Sequence, residues 1–494
     1  MNIWARKPVE ELCSEAGVGG EVTALPRSIG VFALTCIGVG STVGAGIFVL
    51  TGSVAAEHAG PAVGLSFLLA SVVCLLAGLC YAELASMIPV AGSAYSYTYA
   101  TLGEGVAWAV GWCLMLEYLF SASLVAIGWS GYAQSTLHQL GFDLPLALRK
   151  AAFDAPDSYH IVRTTGLVDL PAVLVTVLCT GLLLGRLRTS AGINSAVVVA
   201  KIIAILIVVS VGVGHLHPAN WHPFVPPNSG QFGAFGWSGV MQATAILFFA
   251  YIGFDTVSTM GQEARDPQRT IPASLIGGLA ICAVLYLIVS FVLTGLVNYR
   301  ELDVPDPMYL ALDRIGPEVT WAKYLVGFVA VVGLVSVMLV TLMGQIRIFY
   351  AMGRDGLLPA ALARVHPRTH TPHVGTIVTG IVCAVAAGVL PLSLLNDIIS
   401  MGTLLAFGIV CGGVLVLRRT RPDLKRPFRA PGYPLLPALG LASCLGLMFT
   451  LPNRTWKWFA VWLSLGAVCY LLYGARRSRL QRQLRSRGAG LEAA

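Results

Sequence analysis

The chain has 494 residues, of which 56% are hydrophobic and only 11% charged, with a formal net charge of +8 and a mean hydropathy of +0.76. Globular proteins carry about 25% charged residues, so most of this surface does not face water and a soluble protein is excluded. The positive charge is not a nucleic-acid footprint either. It falls in short clusters between apolar blocks, as at Arg418, Arg419 and Arg421 or Arg476, Arg477 and Arg479, a pattern that holds a cytoplasmic face against anionic membrane lipid.

Residues 1–28 mix Trp4, Arg6 and Lys7 with Glu10, Glu11 and Leu12. They predict a cytoplasmic segment with a short amphipathic helix on the membrane surface. Twelve apolar spans follow, at about 29–53, 61–88, 104–136, 168–187, 190–214, 236–258, 271–297, 320–352, 374–392, 395–418, 433–451 and 456–474. Each reaches the roughly 20 residues that cross a bilayer. The chain therefore predicts an all-α membrane protein: a first five-helix unit at 29–214, a second at 236–418, two more helices within 433–474 and a basic tail at 475–494. The first span has no small-residue cleavage pattern and runs straight into the second, so it reads as a span rather than a signal peptide. Lys and Arg concentrate in the loops on the side of the N-terminus, which predicts a multi-pass cell-membrane protein with both termini in the cytoplasm. Eleven scattered cysteines, mostly inside spans, show no zinc or CxxC spacing and read as small buried hydrophobes.

Two spans carry breaks. Span 1 reads Gly38-Val-Gly-Ser-Thr-Val-Gly-Ala-Gly-Ile-Phe48, and span 6 reads Phe248-Phe-Ala-Tyr-Ile-Gly-Phe-Asp255. Glycine disfavours helix by about 1 kcal/mol relative to alanine, and unwound backbone at membrane depth survives only where it lines a cavity. Free N–H groups at the start of a half-helix suit a carboxylate, and free carbonyls suit an ammonium; an α-amino acid presents both. The alternative for Gly40 and Gly44 is close helix packing, and for Asp255 a helix end near water. Paired breaks five spans apart imply repeats of opposite topology with a transport site between them.

Three charges sit inside apolar runs. Glu117 in span 3 is costly at mid-depth, by at least about 2.5 kcal/mol, and reads as a substrate-side or proton-linked carboxylate, or as a helix-bridging acid. Lys201 in span 5 has apolar sequence on both sides; alternating between ammonium and amine, it would stand in for a coupling cation, and otherwise it is a fixed charge. Glu83 in span 2 reads as structural. The tyrosines of Gly92–Tyr99 suggest an interfacial aromatic belt. No P-loop and no His, Asp or Cys ligand cluster appears, so an ATP-driven pump, a membrane enzyme, a metal and a cofactor are not expected.

Together these stretches resemble the cationic amino acid transporter branch of the amino acid–polyamine–organocation superfamily, bacterial twelve-helix type. The likeness rests on Gly38–Gly52, Ala59–Ala62, Tyr251–Asp255, Glu263–Pro272, Arg347–Pro359 and Thr371-Pro372, and runs from about 25 to 475. It implies the five-plus-five inverted-repeat fold of the leucine transporters, with spans 1 and 6 unwound. The amides of Gly44, Ala45 and Gly46 would then hold a substrate carboxylate. Carbonyls near Thr42, Val43, Phe249, Ala250 and Ile252 would hold its ammonium, with Glu117 nearby. Lys201 would take the place of sodium, and Ser336 and Met338 would shape the side-chain pocket. The resemblance implies a sodium-independent, proton-coupled carrier of small neutral or cationic L-amino acids. An exchanger, or a sensor with the same fold, is the alternative. A small accessory membrane subunit is left open.

Overall fold

The computed structural model describes residues 2–15, 29–90, 92–154, 162–185, 191–260, 264–367, 369 and 371–492. Glu263, at the head of one motif, and the connection at 16–28 lie outside the described residues. In a lipid environment a segment must satisfy its own N–H and C=O groups, and the apolar blocks accordingly become helices. Among the described residues, eight stretches are long and apolar enough to cross a membrane: Val31–Met87, which contains spans 1 and 2, then Glu104–Gln139, Asn194–Val213, Gly236–Ser258, Pro267–Leu296, Pro317–Arg354, Leu392–Thr420 and Asn453–Arg477. Shorter apolar helices, Leu170–Leu184, His373–Val389 and Leu435–Thr450, stand at spans 4, 9 and 11. Span 4 starts where Asp169 Oδ1 accepts from the Ala172 N–H at 3.1 Å, followed by Pro171 in the first turn; such a cap is worth about 1 kcal/mol.

Packing pairs the two halves of the chain. Span 7 lies along span 2, span 8 along span 3 and span 9 along span 4, while span 1 sits between spans 5 and 7. Lipid supplies no hydrophobic drive between helices, so close approach decides such contacts. A Cβ at Gly78 would stand 2.7 Å from Leu279, and one at Gly344 would stand 2.7 Å from the Tyr118 ring.

Both termini lie on one face. Residues 2–7 form a strap there: Glu104 N–H donates to Ala5 O at 3.0 Å, and Gln481 of the C-terminal helix Arg479–Glu492 bonds Asn2 O at 2.7 Å. Lys7 Nζ meets Asp355 at 2.8 Å, with both side chains buried. On the same face Glu83 is held by Arg418 and by the Ala430 N–H at 2.8 Å. The helix Val9–Glu15 follows the strap. The tyrosines read as an aromatic belt are instead buried in the helix Ser93–Thr101. Tyr95 donates to Asp355 and Tyr99 to Glu104, at 2.7 and 2.8 Å; buried carboxylates claim their hydroxyls, so they do not face the lipid boundary. The opposite, far face carries a two-residue-per-strand hairpin, Phe153–Asp154 with Val162–Arg163, and the helix Pro307–Ile315.

Candidate functional site

Span 1 ends as an α-helix at Thr42, where Val43 turns out of helical geometry at ψ 88°. It resumes after Gly44 as a wide, π-type turn over Gly46–Leu50, with Phe48 N–H donating to Gly44 O at 3.1 Å. The N–H groups of Gly44, Ala45 and Gly46 thus open a half-helix and have no carbonyl one turn behind them. Span 6 runs as an α-helix over Gly236–Leu247, tightens to a 3-10 turn over Phe248–Tyr251, extends at Ile252 and restarts at Thr256. Gly253 sits between at φ +115°, a conformation L side chains rarely adopt, and a Cβ there would stand 2.7 Å from the Ser41 carbonyl carbon. Glycine is therefore required both for the turn and for the contact between the two breaks.

Hydroxyls and one amine tie the broken ends together. Ser41 Oγ donates to Gly253 O at 2.9 Å. Tyr286 of span 7 reaches Thr42 O at 2.8 Å and Ala250 O at 2.9 Å, one oxygen bridging both breaks. Lys201 Nζ donates to Gly40 O at 2.5 Å and Val43 O at 2.9 Å and is fully buried. Its stem fits because span 8 has Gly333 opposite, where a Cβ would stand 2.7 Å from Lys201 Cδ. The packing reading of the span 1 glycines also holds in part: a Cβ at Gly38 would crowd Val257 of span 6, and one at Gly40 would crowd Val198 of span 5.

Between the breaks lies a cavity enclosing about 400 Å³ of empty space, counted to its open edge. Ser41, Thr42, Gly44, Ala45 and Gly46 line one side, and Phe249, Ile252, Gly253 and Thr256 the other. Tyr118, Ser121 and Val125 of span 3 and Val337 and Thr341 of span 8 complete it. None of these side chains is charged. Among the described residues the buried Thr42 and Ser121 hydroxyls have no hydrogen-bond partner, which marks them as groups that a cargo or water would satisfy.

The expected site residues separate. Thr42, Gly44, Ala45, Gly46, Phe249 and Ile252 line the cavity, whereas Val43 and Ala250 stand behind it with carbonyls bonded to Lys201 and Tyr286. Glu117 is outside the lining: it is fully buried and accepts from Thr403 Oγ1 at 2.9 Å, and among the described residues its Oε1 has no partner. Its neighbour Tyr118 faces the cavity and donates to Asp255 at 2.7 Å. Asp255 is therefore no water-boundary residue but a fully buried one. On span 8 the wall is Val337 and Thr341; Ser336 turns to Asn194 of span 5 at 3.2 Å, and Met338 is buried away from the lining. One helical residue is a 100° turn, enough to exchange those faces. Ser41, Ser121 and Tyr286 carry nothing unusual in the sequence, since serines and tyrosines are common in spans, and sequence reasoning missed them.

The amino acid permease family model matches residues 29–473, nearly the whole membrane domain. The chain belongs to the amino acid permease family. This permease is 41% identical to a methylthioribose transporter of Bacillus subtilis over 97% of its own length and all of that protein. It is 40% identical to the branched-chain amino acid permease BcaP of the same organism, over 97% of this chain and 99% of that one. A vacuolar cationic amino acid transporter of Arabidopsis thaliana is 39% identical over 81% of this chain and 64% of that protein. The family and these relatives are permeases rather than enzymes, and the permease is a multi-pass membrane protein.

Proposed function

We propose that this permease is a secondary active transporter that binds the backbone of small neutral L-amino acids between two broken helices. The observation that carries the reading is the cavity itself. Gly44, Ala45 and Gly46, which open one half-helix, line it and would offer amides to a carboxylate, while the Ile252 carbonyl region across from them suits an ammonium. The uncharged walls of Val125, Val337, Thr341 and Ser121 favour a neutral side chain over arginine or lysine. Branched-chain amino acids are the cargo named for two relatives, and they match these walls.

Twelve spans in two inverted five-helix repeats, followed by two further helices, account for the pairing of spans 2 with 7, 3 with 8 and 4 with 9, and for breaks five spans apart. The termini-bearing face is the cytoplasmic one, by its excess of Lys and Arg. Lys201 takes the role of a coupling cation: its ammonium crosslinks Gly40 O and Val43 O at the span 1 break, and loss of its proton removes the charge that strengthens both bonds. Glu117 acts from behind Tyr118 as a proton-linked carboxylate. Transport is thus proton-coupled and sodium-independent.

The test is uptake of labelled leucine into proteoliposomes with and without an inward proton gradient, in sodium-free buffer, with arginine and methylthioribose as competitors. Gradient-stimulated uptake that neither competitor blocks supports the reading. Uptake of arginine or methylthioribose in preference to every neutral amino acid overturns it.

A further inference from the structure

Span 3 presents one stripe toward the far face: Gly128, Gly131, Tyr132 and Ser135, spaced i, i+3, i+4 and i+7, which a helix places on a single side. The segments that cover the cavity from that face rest on it. A Cβ at Gly128 would stand 2.6 Å from Val49 of the resumed half of span 1, and one at Gly131 would stand 3.5 Å from the Pro305 backbone. Tyr132 donates to Phe48 O at 2.8 Å, and Ser135 to Asp306 Oδ2 at 2.5 Å. Pro305 and Asp306 lead into the helix Pro307–Ile315.

The covering half-helix is irregular. Its first turn, Gly46–Leu50, is π-type, and a second such turn follows at Ala55–Ala59. Wide turns inside a helix are uncommon and gather at functional positions. Here Thr51 Oγ1 supports the first one through Gly46 O at 3.3 Å and Ile47 O at 3.1 Å. Tyr132 is 1% exposed and stands edge-on to Phe48, with ring centroids 6.2 Å apart. Its hydroxyl thus ties span 3 directly to a backbone carbonyl of the irregular turn. The opposite face is fastened differently, by the buried ion pairs Lys7–Asp355 and Glu83–Arg418.

We propose that Tyr132 is the bolt of the outer gate: its hydroxyl, fixed on span 3, holds the resumed half of span 1 closed over the cavity. Breaking that bond lets the turn at Gly46–Leu50 swing away and opens the cavity to the outside. Ser135 performs the same task for the loop at Asp306. The proposal rests on the reading of the far face as external. It adds to that reading a named residue whose removal biases the carrier outward.

The test uses a reporter cysteine, Val125→Cys, in the cavity wall of intact cells. A membrane-impermeant maleimide is added outside, and labelling of the same protein without the reporter is subtracted. Adding Tyr132→Phe, which keeps the ring and removes one hydroxyl, raises the labelling rate about fivefold, the net worth of one neutral hydrogen bond. An unchanged rate overturns the proposal. If Tyr132→Phe does not reach the membrane, Ser135→Ala decides by the same assay and in the same direction. Labelling that rises only from the inside of inverted vesicles also overturns the outer assignment. Leucine counterflow by the protein without either substitution separates the two readings: if it is present and labelling does not change, the bolt alone fails. If it is absent while labelling rises, the bolt stands and the cargo assignment fails.

Discussion

Replacing Tyr286 by phenylalanine keeps the ring and removes the one hydroxyl that both breaks share, leaving Thr42 O and Ala250 O to find other partners. An unsatisfied buried polar group costs about 1–3 kcal/mol. The variant is expected to unfold several degrees lower in a thermal scan and to take up leucine more slowly, whereas an unchanged melting temperature would mean that water replaces the hydroxyl. Lys201→Ala removes the crosslink on Gly40 O and Val43 O, and uptake by this variant should no longer respond to a proton gradient while counterflow persists. Stimulation equal to that of the unaltered protein would return Lys201 to a structural role. Glu117→Gln keeps the acceptor for Thr403 but cannot ionise; its pH–rate profile should flatten, and an unaltered profile removes it from coupling. Lys201 and Glu117 stand out in the sequence because a charge in an apolar run is conspicuous, and both are fully buried. Tyr286 does not, because a tyrosine in a span is ordinary until its hydroxyl is seen against two carbonyls.

At the scale of elements, the two breaks follow from composition. Gly44 and Gly46 in span 1 and Gly253 in span 6 lie where the helices stop or restart, and glycine's low helix preference is a local property that sequence shows directly. The π-type turns beyond the first break were not legible, since no residue preference specifies a turn widened by packing against span 3. The face of span 8 was misplaced by one position, Val337 and Thr341 for Ser336 and Met338, because an apolar helix surrounded by protein and lipid has no polar side to fix its rotation. The buried helix at Ser93–Thr101 was likewise hidden, since its partners Asp355 and Glu104 come from distant elements. Gly253→Ala forces a side chain into a positive φ and against Ser41; leucine transport should fall to background even where the protein is inserted. Full activity would show that the second break tolerates a different path. Arg418→Ala leaves Glu83, 1% exposed, without its main partner, and breaking such a buried pair costs roughly 3–5 kcal/mol. A melting temperature within a degree of the parent would assign Glu83 to Arg426 and the Ala430 N–H instead.

The whole molecule brings together a fixed frame and a divided pair. Spans 3 and 8 pack along each other and supply the cavity's side walls, while spans 1 and 6 supply backbone from both ends of their breaks. On the proposed reading, peptide groups at the breaks would bind the part common to all amino acids, and Val125, Ser121, Val337 and Thr341 would face the part that differs. The relatives are named for branched-chain amino acids, cationic amino acids and methylthioribose, and only the first two classes carry the α-carboxylate and α-ammonium that this division would bind. If peptide dipoles at the two breaks hold a zwitterion, competition by backbone-modified leucine reads this out without altering the protein. Leucine methyl ester lacks the carboxylate and N-acetyl-leucine lacks the ammonium, with the side chain intact. Each should compete with labelled leucine at least about tenfold more weakly than leucine itself, the loss of one charged hydrogen-bonding group. Equal competition by either analogue would contradict it.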